Sequence, residues 1–156
     1  MKSQSRLFFA SAALAGMAAS APLLLAQDRK ITHDQLPASV QHAMDAETQG
    51  ATVKGYATEM ENGKRSYEAE TVKDGHSRDV SFNSDGSLAE IEEEVAFNQL
   101  PAPVQQSLKS KAGAARIVKV ESLTKHGKLV AYEATTDGHH GEIQVGPSGQ
   151  KLSHEE

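Results

Sequence analysis

The sequence predicts an α+β fold made of two tandem repeats, each a helix packed on a three- to four-stranded antiparallel sheet. Three observations predict it. First, the chain repeats itself: Leu36-Pro37-Ala38-x-Val40-Gln41 returns as Leu100-Pro101-Ala102-x-Val104-Gln105 and Gly63-Lys64 as Gly127-Lys128, both about 64 residues further on. Tyr67-Glu68-Ala69 likewise matches Tyr132-Glu133-Ala134, Asp74-Gly75-His76 matches Asp137-Gly138-His139, and Gly86 matches Gly149. Second, the apolar period inside each copy changes from about 3.6 to 2. Third, turn-forming Gly pairs separate the alternating segments. The repeats span 27–95 and 96–156, after a leading segment of different character.

That leading segment reads as an export signal. Lys2 and Arg6 precede an apolar, small-residue stretch from Leu7 to Leu25, and Ala26 is followed by the polar switch Gln27-Asp28-Arg29-Lys30. The flanks favour cleavage after Ala26 over a retained membrane anchor. Residues 1–26 are therefore expected to be a signal peptide, and the mature protein periplasmic or secreted.

Each copy then opens with a helix. Leu36, Val40, Ala43 and Met44 share one face in the first, as do Leu100, Val104 and Leu108 in the second. Thr32 or Asp34, and Asn98, are candidate caps; Pro37 and Pro101 suit the first turn, and Gln49-Gly50 and Gly113 end the helices.

Strands follow. Tyr67, Ala69 and Thr71 alternate with Glu68 and Glu70, and Val130, Tyr132 and Ala134 with Ala131 and Glu133, so one face is buried and the other wet. Val80 with Phe82, and Ile143 with Val145, mark a third strand; Leu88 with Ile91, and Leu152, mark a short fourth. Asn62-Gly63, Asp74-Gly75, Asp85-Gly86, His126-Gly127, Asp137-Gly138 and Pro147-Ser148-Gly149 supply the turns. The first strand of each copy, near Val53–Met60 and Ile117–Leu123, alternates too poorly for its faces to be assigned. A unit of about 65 residues is marginal alone, so the two are expected to pack on each other or to join edge strands into one sheet.

The chain contains no cysteine, so no disulfide can staple it in an oxidising compartment. Removing residues 1–26 leaves 14 basic against 21 acidic residues, a formal charge of −7, which argues against nucleic acid or an anionic membrane as partner. No nucleophile elbow, zinc-protease motif or phosphate-binding glycine loop is present. The carboxylate runs Glu92-Glu93-Glu94 and Glu155-Glu156 read as solvated edges rather than acid–base catalysts. No catalytic residue and no cofactor are expected. Histidine offers the one candidate metal set: His76 and His139 at matching positions, with His140 and Glu142 on one side of a strand, a group that could hold zinc or copper. Tyr67 and Tyr132 belong to the apolar face and read as core.

Leu36-Pro37-Ala38-Ser39-Val40, Gly63-Lys64, Tyr67-Glu68-Ala69 and Ser84-Asp85-Gly86 resemble the pattern of PepSY and PepSY-like domains. Leu100-Pro101-Ala102-Pro103-Val104, Gly127-Lys128, Tyr132-Glu133-Ala134 and Ser148-Gly149 carry the same pattern a second time. The tandem arrangement also resembles the beta-lactamase-inhibitor fold, in which helix-plus-sheet repeats offer a sheet surface to a target enzyme. The resemblance implies an extracytoplasmic binding module that restrains a hydrolase or peptidase, without chemistry of its own. Its scarcity of aromatic residues departs from a typical tight interface. The alternative is a periplasmic protein that holds a small ligand or metal on the His/Glu set.

Overall fold

Leu36-Pro37 and Leu100-Pro101 set the geometry from which each repeat grows. The residue before a proline is driven out of the α region, and Leu36 (ψ 144°) and Leu100 (ψ 151°) are extended accordingly. Each leucine therefore separates a 3-10 turn, His33–Gln35 or Phe97–Gln99, from the helix that follows. Helix α1 spans Ala38–Glu47 and α2 spans Ala102–Ala112, with Pro37 and Pro101 at their N-caps. The expected caps sit one step earlier: Thr32 caps the 3-10 turn with Gln35 as its box partner, while Asp34 and Asn98 lie inside the turns. The repeated glutamines tie turn to helix, since Gln41 Nε2 donates to the carbonyls of His33 (3.1 Å) and Leu36 (3.0 Å) and Gln105 Nε2 to that of Leu100 (2.9 Å).

The computed structural model describes residues 29–61, 63–138 and 141–153. The segment read as a signal peptide lies outside them. The strands are β1 (Arg29–Ile31), β2 (Thr52–Glu61), β3 (Lys64–Lys73), β4 (His76–Asn83), β5 (Leu88–Glu94), β6 (Ile117–Lys125), β7 (Lys128–Thr136) and β8 (Glu142–Val145). All join in one antiparallel sheet, in sequence order from β1 to β8. The three- to four-stranded sheet expected of each repeat is therefore not a sheet of its own but part of a larger one, and of the two arrangements expected for the units, packing or joined edge strands, the strands join. Strand β5 is the reason: its register on β4 runs from Arg78↔Glu93 to Phe82↔Leu88, and its other edge pairs with β6 from Glu90↔Lys125 to Glu94↔Glu121. The edge that would have been left exposed is used to fuse the repeats.

The turns follow the expected chemistry. Asp74 (φ 53°) with Gly75 (φ 89°), and His126 (φ 51°) with Gly127 (φ 74°), take the left-handed conformations of a two-residue hairpin. The poorly alternating first strands contain bulges, between Val53 and Gly55 in β2 and at two places in the β6–β7 ladder. A bulge switches the inside–outside parity, which is why no face could be assigned from sequence. Leu152 lies in irregular chain rather than in a fourth strand of the second copy.

Both helices lie on one face. Leu36, Val40 and Met44 of the first copy pack with Tyr67, Ala69, Val80 and Phe82. Leu100, Val104, Leu108 and Ala112 pack with Val120, Ala134, Ile143 and Val145 in the second. The two cores are held alike but latched differently: His33 bonds Asp45 (2.8 Å) in the first copy, whereas at the matching positions Lys109 sits 5.2 Å from the centre of the Phe97 ring. In the first copy Arg78, facing α1, bonds Glu47 Oε1 at 2.5 Å and anchors the end of that helix to β4.

Candidate functional site

Alternation sends every second residue of each strand to the face opposite the helices, and among the described residues no helix covers it. Two rows of side chains cross this face. In one, Glu70, Asp79, Glu92, Leu123 and Ala131 stand opposite one another from β3 to β7. In the other, Glu94, Glu121, Glu133 and Gln144 do so from β5 to β8. Like charges directly opposite across strands are destabilising, and four rungs here set acid against acid: Glu70↔Asp79, Asp79↔Glu92, Glu94↔Glu121 and Glu121↔Glu133.

Local partners make the crowding tolerable. Lys119 forms a close ion pair with Glu121, whose residue exposure is only 2%. Gln144 Nε2 donates to Glu133 Oε2 at 2.7 Å, and Ser77 Oγ lies 3.4 Å from carboxylate oxygens of both Glu94 and Glu121. Lys125 Nζ is 3.9 Å from Glu90. Asp79 Oδ1 accepts from the Thr71 N–H at 3.2 Å. Glu92 sits amid this set, and burial, followed by repulsion from Glu90, Glu121, Glu133 and Glu68, pushes its carboxyl up to about 9. It therefore holds a proton at neutral pH.

Oxygen atoms of Asp79, Glu92 and Glu121 lie within 4.8 Å of one another. Three carboxylates are hard donors of the kind that calcium or magnesium takes, in contrast to the imidazoles zinc and copper favour. The sequence-predicted set is not assembled by the described residues. His76 begins β4, with its Nδ1 3.7 Å from Glu94, whereas Glu142 begins β8. Those strands are four places apart, roughly 19 Å at the usual strand spacing, so the two cannot share one ion. His139 and His140 lie outside the described residues.

Sequence reasoning missed the acidic face because it read Glu92-Glu93-Glu94 as one solvated run. The strand splits it: Glu93 turns to the helix side, within 3.8 Å of Arg78, while Glu92 and Glu94 join the open face. The available signal was the two-residue spacing of Glu90, Glu92 and Glu94, echoed by Glu68 and Glu70. Other concave features are shallow. One cleft of about 420 Å³ is lined by Ile31, His33, Lys54 and Tyr56, beside the His33–Asp45 pair.

The fold defines a class of protein: a tandem helix-on-sheet scaffold with helices on one sheet face and, among the described residues, none on the other. The chain belongs to the PepSY-like family, whose sequence model, described as "Putative beta-lactamase-inhibitor-like, PepSY-like", matches residues 24–76 and 65–138. Solved structures share the fold. A DUF2874 family protein from Bacteroides ovatus is 18% identical, with a TM-score of 0.58, over 77% of this chain and 86% of its own. A "putative periplasmic" protein from Bacteroides eggerthii gives 18% and 0.58 over 74% and 84%. A BLIP-like protein from Bacteroides fragilis gives 21% and 0.52 over 76% and 83%. No curated protein matches the chain.

Proposed function

We propose that this is an exported, non-catalytic binding protein that docks a partner protein on the helix-free face of its sheet, with an extracytoplasmic hydrolase or peptidase as the class of target. The observation that carries this reading is the set of four acid-on-acid rungs on that face. Local rules are broken at functional sites more than elsewhere, and nothing in the packing of the helices requires carboxylates there. The family membership and the periplasmic description of a structural neighbour support export and a binding role.

A photo-crosslinking residue placed at Ser81, on the open face, and separately at Ala46, on the exposed side of α1, tests the reading in the exported fraction of the source cells. A protein captured from Ser81 and not from Ala46 supports it. Capture from Ala46 alone would move the interface to the helices. Repeating the capture with a chelator separates protein docking from the alternative, a divalent cation on Asp79, Glu92 and Glu121.

A further inference from the structure

We propose that Asp74 is a self-modification site, at which the hairpin tip between β3 and β4 converts spontaneously to isoaspartate through a succinimide ring. The inference stands apart from the docking face. The sequence sets aspartate before glycine three times, at Asp74-Gly75, Asp85-Gly86 and Asp137-Gly138. Glycine has no Cβ to shield its amide nitrogen from the preceding side chain, so sequence alone gives no reason to rank the three. The structure separates them.

Two of the pairs are locked. Asp85 Oδ1 accepts from the Ser87 N–H at 2.9 Å and from Ser87 Oγ at 2.6 Å, while the Gly86 N–H donates to the Asn83 carbonyl at 2.9 Å. Asp137 accepts from the Arg116 N–H on one carboxylate oxygen (2.7 Å) and from Arg116 Nε on the other (3.1 Å), and Gly138 is pressed against Ala115. At Asp74 both reactants are free. Among the described residues neither its carboxyl group nor the Gly75 N–H meets a partner, both residues are exposed, and a Cβ on Gly75 would meet open space. Asp74 also has φ 53°, the left-handed conformation that a Cβ disfavours, which lowers the barrier to leaving the turn for the ring geometry. In the first step, with the carboxyl group protonated, the Gly75 nitrogen bonds to Asp74 Cγ, and the amide proton and the carboxyl hydroxyl depart as water. Water then opens the ring at one of its two carbonyls. Breaking the N–Cγ bond restores aspartate; breaking the bond to the former main-chain carbonyl leaves the peptide running through Cβ. The mass is unchanged, and the main chain is one carbon longer beside the Lys73↔His76 rung. Ser77, the next residue, contacts Glu94 and Glu121 at the β5–β6 seam, so the altered tip lies next to the junction of the repeats.

The test ages the purified exported protein at physiological temperature and pH, and in parallel in urea, where the unfolded chain gives each site its intrinsic rate. Peptide mapping with electron-transfer fragmentation, which cleaves the isoaspartate Cα–Cβ bond, follows the three sites separately. Folding is expected to slow conversion at Asp85 and Asp137 about tenfold or more, because hydrogen bonds to a charged acceptor must break first, while Asp74 stays within about threefold of its unfolded rate. Protection of Asp74 as strong as that of the other two overturns the proposal, as does absence of isoaspartate there. Asp74→Glu, whose side chain would have to close a six-membered ring, should abolish the isomer in that peptide. An isomer that persists in the variant would place the reaction at another residue and contradict the assignment.

Discussion

Glu94 and Glu121 stand directly opposite each other across the β5–β6 seam, with Ser77 Oγ 3.4 Å from a carboxylate oxygen of each. This is the junction at which two repeats become one sheet, and it carries a repulsive rung. Replacing Glu94 with glutamine keeps an acceptor for the Ser77 N–H, now at 3.1 Å, and removes one charge. The variant is expected to gain about 0.2–1 kcal/mol in urea denaturation.

Glu92 makes stability depend on pH in the direction opposite to an ordinary paired carboxylate. Its folded-state value lies near 9 against 4.5 for the free group, so the folded protein holds a proton that the unfolded chain gives up. That contribution is fully present below about 4.5 and is lost as pH rises towards 9. The melting temperature of Glu92→Gln should therefore exceed that of the wild type by a margin that widens from pH 5 to pH 9.

The shared sheet predicts shared unfolding. Leu108→Ala empties a fully buried site in the second core and is expected to cost about 2–5 kcal/mol. Far-ultraviolet circular dichroism should still show one transition, with amide exchange accelerated in β3 and β4 as well as β7. Two separated transitions would mean that the β5–β6 ladder does not couple the repeats.

Gly86 and Gly75 distinguish backbone conformation from close packing. Both have positive φ, 87° and 89°, but a Cβ on Gly86 would lie 2.8 Å from the Ser39 carbonyl oxygen while one on Gly75 meets open space. Gly75→Ala is expected to cost about 1–2 kcal/mol from the left-handed conformation. Gly86→Ala should cost more, because the β4–β5 turn must also move away from α1. Chemical denaturation of the two variants checks the order.

Much of this fold was legible because local signals agreed with one another. Leu36, Val40 and Met44 recur as Leu100, Val104 and Leu108, and the Asp-Gly and His-Gly pairs mark hairpins that the structure contains. The fusion of the sheets was foreseen only as one of two outcomes, since nothing in Leu88–Glu94 says which strand its second edge will meet. Bulges at Val53/Gly55 and Ile117/Lys119 hid the faces of the first strands. The candidate site was harder to see because it depends on register across strands distant in sequence: Asp79, Glu92 and Glu121 come from three of them. A histidine-centred reading looked at local spacing, where His76 and His139 follow matching Asp-Gly pairs and His140 and Glu142 share one side of a strand, and spacing says nothing about the four strand positions between His76 and Glu142.

The most direct measurement of the central claim is photo-crosslinking of the full mature chain from Ser81 and, separately, from Ala46 in the exported fraction. The account predicts a partner protein captured from Ser81, on the helix-free face, and none from Ala46, on α1. Capture from Ala46 alone, or equally from both positions, would contradict it.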